Sequence, residues 1–223
     1  MVLVRFYPPL CVSAAKLFSE YPVPRLVLGS RNVKKLRELV ALLGDLPLEL
    51  TDLSPYPDAP EVEETGGTFE ANARLKAEQL APILGAWVLG EDSGLVVPSL
   101  GGAPGVYSAR YAGTHGDDAA NNAKLLRELA GKTGDARRAY YVSTAALANP
   151  RGEVVAVVAG KCWGVIAEAA AGGGGFGYDP LFVVPEYHAS FGELSATVKN
   201  ALSHRGRAVA LLRPLVRQFI LAG

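Results

Sequence analysis

The stretch AWVLGEDSGLVVPSL, residues 86–100, sets two adjacent acids between two apolar runs. Trp87–Leu89 and Leu95–Leu100 each read as a short buried strand. Glu91 and Asp92 then fall where the first strand leaves the core, with Ser93-Gly94 as a tight turn. In open α/β sheets, ligands bind at such strand ends. A solvated acidic turn would carry the same residues, so the neighbouring segments decide between the two.

Upstream, Arg25–Gly29 (RLVLG) is apolar and β-prone, and Ser30-Arg31-Asn32 leads into helical spacing at Val33, Leu36, Leu39, Val40 and Leu43, stopped by Gly44. Leu46–Leu53 alternates like a second strand, and a Pro-rich loop follows to Pro60. Thr68 reads as the N-cap of a helix reaching about Leu84, with Glu70 in its first turn and Asn72 and Lys76 as i, i+4 neighbours. Downstream, residues 101–113 form a Gly-rich loop, and Asp117 or Asp118 caps a helix ending near Gly131. Tyr140–Ala148 and Glu153–Trp163, joined at Asn149–Gly152, predict a long hairpin. The glycine run 172–175 leads into FGYDP and a strand at Leu181–Val184. The last helix begins at Ser203, with Val209, Leu212, Val216 and Phe219 on one face and a kink or break at Pro214. Strands and helices alternate early and a hairpin comes late, which predicts an α/β fold with a mixed sheet, in two lobes.

The 223 residues suit one large domain or two small ones, and 49% hydrophobic residues suffice for a sizeable core. We read residues 1–24 as an N-terminal appendage, since Pro8-Pro9 interrupts any signal-peptide core, and 25–223 as a single domain. Lys+Arg and Asp+Glu balance at 22 each, which argues against bulk nucleic-acid or anionic-membrane binding. No apolar run approaches the ~18 residues of a membrane span. Cys11 and Cys162 stand far apart in no metal-ligand spacing, which fits a reducing, cytoplasmic setting.

Three polar clusters stand where apolar elements end. In the first, residues 30–35, free N–H groups at a helix start and the charge of Lys35 favour an anion, although GxxxxGK[ST] is absent. The second is acidic: Glu61, Glu63 and Glu64, then Glu91-Asp92. Enzyme-bound phosphates usually arrive with Mg²⁺, which takes one or two carboxylates. The third joins GGFGYDP (174–180) to Lys199 and SHRG (203–206), where Phe176 can stack on a base and His204 and Arg205 can donate to it. Singly, these fit a capped helix, a solvated acidic loop and a core aromatic. Together they supply phosphate donors, metal acids and a base platform.

The strings SRNVKKLREL, EETGGTFEANARLKA, EDSGLVVPSLGGAPGVYSARYAG, GGFGYDPLFVVPE and ELSATVKNALSHRGRA stand in this order in the chain. They resemble the inosine triphosphate pyrophosphatase family over roughly residues 25–217. The resemblance implies an elongated mixed β-sheet flanked by helices, a substrate cleft between two lobes, and a homodimer. It also implies Mg²⁺-dependent hydrolysis of ITP, dITP or XTP to the monophosphate and pyrophosphate, which cleanses the nucleotide pool. Carried over by motif, Ser30, Asn32 and Lys35 hold the triphosphate. Glu64 and Asp92 bind metal, with Asp92 also the base for the attacking water and Ser93 touching substrate. Phe176, Gly177, Tyr178, Asp179, Lys199, His204 and Arg205 surround the purine. The family's first motif usually carries glycine where Arg31 and Lys34 stand here, Glu91 replaces a common Asp, and Ala71 precedes Asn72 where an acid is common. A pyrophosphatase for another modified nucleotide, or a nucleotide-binding module without turnover, are the alternatives.

Overall fold

The computed structural model describes residues 23–222. The appendage expected over residues 1–24 therefore lies, but for Val23 and Pro24, outside the described residues. The elements are β1 (Arg25–Leu28), α1 (Val33–Leu43), β2 (Glu49–Thr51), α2 (Phe69–Leu84), β3 (Trp87–Val96), α3 (Asp118–Glu128), β4 (Arg138–Ala148), β5 (Val154–Ile166), β6 (Phe182–Val184), β7 (Ala189–Ser190), α4 (Ala196–Leu202) and α5 (His204–Val216). They build a seven-stranded sheet in the order β2-β1-β3-β4-β5-β6-β7. β1 is parallel to β2 and β3, and every later pairing is antiparallel. The α/β fold and the mixed sheet expected from the sequence are both present.

Three apolar clusters show how the long strands divide the molecule. At one end, Leu26, Leu28 and Leu89 pack with Leu39 and Leu43 of α1 and Val209, Leu212 and Val216 of α5. On the opposite face, Val27, Val88 and Ala146 pack against Ala73, Ala77 and Leu80 of α2. At the other end, Leu95, Tyr141 and Ile166 meet Leu125 of α3, Leu129 just after it, and Phe182 and Phe191. β3, β4 and β5 run through both lobes, and the site lies at the middle of β3.

There the reading of GEDSG is corrected. β3 is unbroken from Trp87 to Val96, so residues 90–94 are strand and not a turn. β4 pairs with it residue for residue, from Val88 opposite Ala148 to Val96 opposite Tyr140, and this ladder satisfies the backbone that a turn would have exposed. The two glycines serve close approach instead. A Cβ on Gly90 would lie 2.8 Å from the Ala77 nitrogen of α2, and one on Gly94 would lie 2.7 Å from the Gly105 carbonyl oxygen. A strand end does face the site, but it belongs to β1, whose carboxyl end lies beside β3. β1 connects to β2 on one side and neighbours β3 on the other, the arrangement at which open sheets form a crevice.

Other boundaries move less. The strand expected over Leu46–Leu53 is reduced to Glu49–Thr51, and Leu95–Leu100 gives way to a 3₁₀ turn at Pro98–Leu100. The hairpin forms as expected, as does the Thr68 cap, whose hydroxyl accepts from Ala71 N. α5 runs through Pro214 and continues as a π-helical turn over Arg217–Leu221, and Ile220, not Phe219, completes its buried stripe. Pro214 lies on the exposed face, where the carbonyl it leaves unpaired can meet water. Among the described residues, no helix is long and apolar enough to cross a membrane.

Candidate active site

A cleft of about 640 Å³ opens between the lobes, and every residue that the family resemblance assigned to the site lines it, whereas Glu63 and Glu91 of the acidic cluster do not. Successive residues of a strand point to opposite faces. β3 uses this to send Glu91 and Ser93 toward α1 and α5, and Asp92 toward α2.

On the α1 side, Asn32 caps the helix and its Oδ1 accepts from Lys34 N and Lys35 N at 3.0 and 3.1 Å. Ser30 Oγ accepts from Asn32 N. These backbone donors, expected to be free for an anion, are therefore occupied, because the capping side chain claims them first. Lys35 Nζ lies 2.7 Å from Glu91 Oε2. Arg31 donates to the Ala59 and Tyr56 carbonyl oxygens, which pins the Pro-rich loop.

Glu64 and Asp92 share one ammonium. Lys76 Nζ lies 2.6 Å from Glu64 Oε1 and 3.7 Å from Asp92 Oδ1. Asn72 Nδ2 donates to Asp92 Oδ2 at 3.0 Å, while Asn72 Oδ1 accepts from Gly66 N at 2.8 Å. One buried amide thus ties the Glu64 loop to Asp92. The two carboxyls are pushed in opposite directions. Burial, with the Glu64 charge adding to it, raises Asp92 above its ordinary value. Burial also acts to raise Glu64, but Lys76 and Arg110 more than reverse it, and its pKa is lowered. Glu61 and Glu63 remain exposed.

On the base side, Phe176 has three cations near its ring, with Lys199 Nζ 5.0 Å, Lys34 Nζ 5.6 Å and the Arg205 guanidinium carbon 5.8 Å from its centroid. Asp179 Oδ2 accepts from Phe176 N and from Lys199 Nζ, both at 2.7 Å, and so sets the loop. Gly177 N donates to Asp118 Oδ2, and the Tyr178 hydroxyl donates to the Ser108 carbonyl oxygen. Ser203 ends α4 and caps α5, so His204 and Arg205 open a helix directly against the cleft. The His204 ring stacks on Tyr141 at 4.6 Å, and its Nδ1 is buried without a protein partner. Burial and the adjacent Arg205 hold this imidazole well below its usual pKa, hence neutral. Arg205 Nη2 donates to Glu91 Oε1 and Ser93 Oγ, each at 3.0 Å, and Nη1 to Glu38.

Glu91 is the buried hub. Ser143 Oγ donates to it at 2.7 Å, and Lys35 and Arg205 flank it. Burial alone would raise its pKa, but Arg205 and Lys35 hold it well below the carboxylate range.

The sequence reading gave no site role to Glu38, Asn72, Lys76, Asp118 or Ser143. Signals existed for some of them. Asn72 and Lys76 continue the stripe of Ala73, Ala77 and Leu80, where a polar pair needs a buried partner. Glu38 sits one turn after Lys35, and Ser143 interrupts an apolar strand.

A sequence model of the Ham1 family matches residues 26–215. A dITP/XTP pyrophosphatase of Rhodopirellula baltica is 55% identical over 195 residues, spanning 87% of this chain and 94% of that protein. One of Geobacter sulfurreducens is 52% identical over 189 residues, spanning 85% and 94%. The structure of a HAM1 protein from Coxiella burnetii superposes with a TM-score of 0.79 at 38% identity, over 88% of this chain and 100% of that one. That of the Staphylococcus aureus Ham1 protein gives 0.76 at 40% identity, over 87% and 98%. The family model and these relatives each cover most of the chain, and the chain belongs to the Ham1 family.

Proposed function

We propose that this protein hydrolyses non-standard purine nucleoside triphosphates (ITP, dITP, XTP) to the monophosphate and pyrophosphate. The observation that carries the reading is the meeting, in one cleft, of two carboxylates with opposed pKa shifts and an aromatic base platform ringed by cations. The relatives named dITP/XTP pyrophosphatase support it.

Phosphoryl chemistry asks the protein chiefly to align a water and to neutralise charge. Asp92, whose basicity burial raises, is the group that takes a proton from the attacking water. Asn72 Nδ2 donates to one oxygen of that carboxyl and Ser93 N to the other, and together they fix its orientation. Lys35 and Lys76 bring positive charge to the phosphate side. His204 and Arg205 face the base, and buried donors that pair with the C6 oxygen of hypoxanthine or xanthine go unmatched against the amino group of adenine.

The donor set fits Mg²⁺. Glu64 and Asp92 flank a point that a cation, the Lys76 ammonium, already approaches, and Mg²⁺ needs one or two carboxylates besides phosphate and water. Glu64 and Asp92 would hold it, and when bound it neutralises phosphate charge and lowers the pKa of water. A homodimer belongs to the same reading, and its mass in solution checks that part.

The test is pyrophosphate release from ITP, XTP, GTP and ATP, each with and without Mg²⁺. Fast Mg²⁺-dependent release from ITP and XTP, with little from ATP, is expected. No release from any of the four by folded protein overturns the proposal.

A further inference from the structure

Six Lys and Arg side chains line the cleft among the described residues, and five of them are committed. Lys35 meets Glu91 at 2.7 Å, Lys76 meets Glu64 at 2.6 Å, Lys199 meets Asp179 at 2.7 Å, and Arg205 meets Glu91 at 3.0 Å. Arg31 gives its guanidinium to backbone carbonyls, Ala59 O at 2.9 Å foremost. Lys34 differs. Its side chain is 57% exposed, and its ammonium stands 3.4 Å from Asp118 Oδ2 on α3, across the cleft mouth. That oxygen already accepts from Gly177 N at 3.0 Å. An exposed pair of this kind contributes little, so exchanging Asp118 for a better anion is easy.

The backbone at the start of α1 sharpens the point. Asn32 Oδ1 takes the N–H groups of Lys34 and Lys35, and Ser30 Oγ takes that of Asn32. A polyphosphate arriving there finds these donors occupied and has to be met by side-chain charge. Lys34 is the exposed ammonium at that helix start.

We infer that Lys34 is a polyphosphate-binding residue. In the free protein its ammonium is parked on Asp118, over Phe176, and on binding it leaves that carboxylate for the terminal phosphate oxygens of the substrate. The inference rests on the triphosphate reading above and adds a residue and a partner exchange to it.

Lys34→Ala, Lys34→Arg and Asp118→Asn decide the matter, read by the KM for ITP, its salt dependence, and product inhibition by inorganic pyrophosphate and by inosine monophosphate. Loss of one charge-assisted contact should raise the KM and the pyrophosphate Ki of Lys34→Ala roughly tenfold. It should flatten the salt dependence and leave inosine monophosphate inhibition in place, and Lys34→Arg should restore most of the loss. Asp118→Asn, which releases the ammonium while its side-chain oxygen still accepts from Gly177 N, should lower the pyrophosphate Ki. An unchanged pyrophosphate Ki and KM in Lys34→Ala overturns the inference alone. So does a change confined to inosine monophosphate, which would put Lys34 at the base through Phe176. Wild-type protein that releases no pyrophosphate overturns the triphosphate reading beneath it.

Discussion

Replacing Glu91 with Gln tests whether the centre of β3 is an electrostatic hub. The carboxylate is 1% exposed and meets Lys35 at 2.7 Å, Arg205 at 3.0 Å and the Ser143 hydroxyl at 2.7 Å. At an effective dielectric of about 20, each cation contact carries roughly 6 kcal/mol of gross attraction, much of which offsets the desolvation of the buried charges. Gln keeps the volume but removes the charge, and its amide turns a donor toward two donors. Breaking a buried pair from one side costs about 3–5 kcal/mol, because the partner charges stay buried. For a chain of this size that corresponds to a Tm lower by roughly 10 °C. The assay is thermal unfolding of Glu91→Gln beside Glu49→Gln. The latter breaks the Arg25–Glu49 pair, whose side chains are half exposed and whose loss should leave the Tm unmoved. Equal Tm values for the two variants would refute the reasoning, since burial is what sets them apart.

Asp92→Asn should abolish pyrophosphate release while the far-ultraviolet circular dichroism stays that of the wild type, and full activity would remove Asp92 from the proposed chemistry. Gly90→Ala should lower the unfolding free energy by about 1–3 kcal/mol and cut activity as well, because the added methyl pushes α2, with Asn72 and Lys76, away from Asp92. Unfolding measured in denaturant checks the first part and turnover the second. His204 is held neutral in the fold by burial and by Arg205, so the unfolded chain binds its proton first as pH falls. Stability should therefore be full above about pH 6.5 and decline below it, by up to roughly 1.4 kcal/mol per pH unit. His204→Gln should flatten that decline between pH 7.5 and 5.5, and an unchanged slope would assign it to other groups.

Elements that local rules specify were legible in the sequence. α1 follows from apolar spacing and the Gly44 stop, α2 from the Thr68 cap, and the β4–β5 hairpin from two β-prone runs around Asn149–Gly152. The five motif strings led to the family and to residues that share one cleft. The sequence did not disclose what GEDSG is. Glycines beside acids look like a turn whenever only neighbours along the chain are considered. Whether they turn or extend depends on β4, some fifty residues later, offering a ladder from Val88 to Val96, and on α2 requiring Gly90 to have no side chain.

Lys76, Glu38 and Asp118 stayed hidden for the same reason: each acquires its role from a partner on another element. The sequence by itself determined which residue types were present for phosphate, metal and base, and the local elements that carry them. Tertiary structure alone decided which charges pair, which carboxylates are buried and which ammonium remains exposed. Propensities, caps and periodicities act over a few residues, whereas ion pairing and desolvation act between groups that only folding brings within about 4 Å.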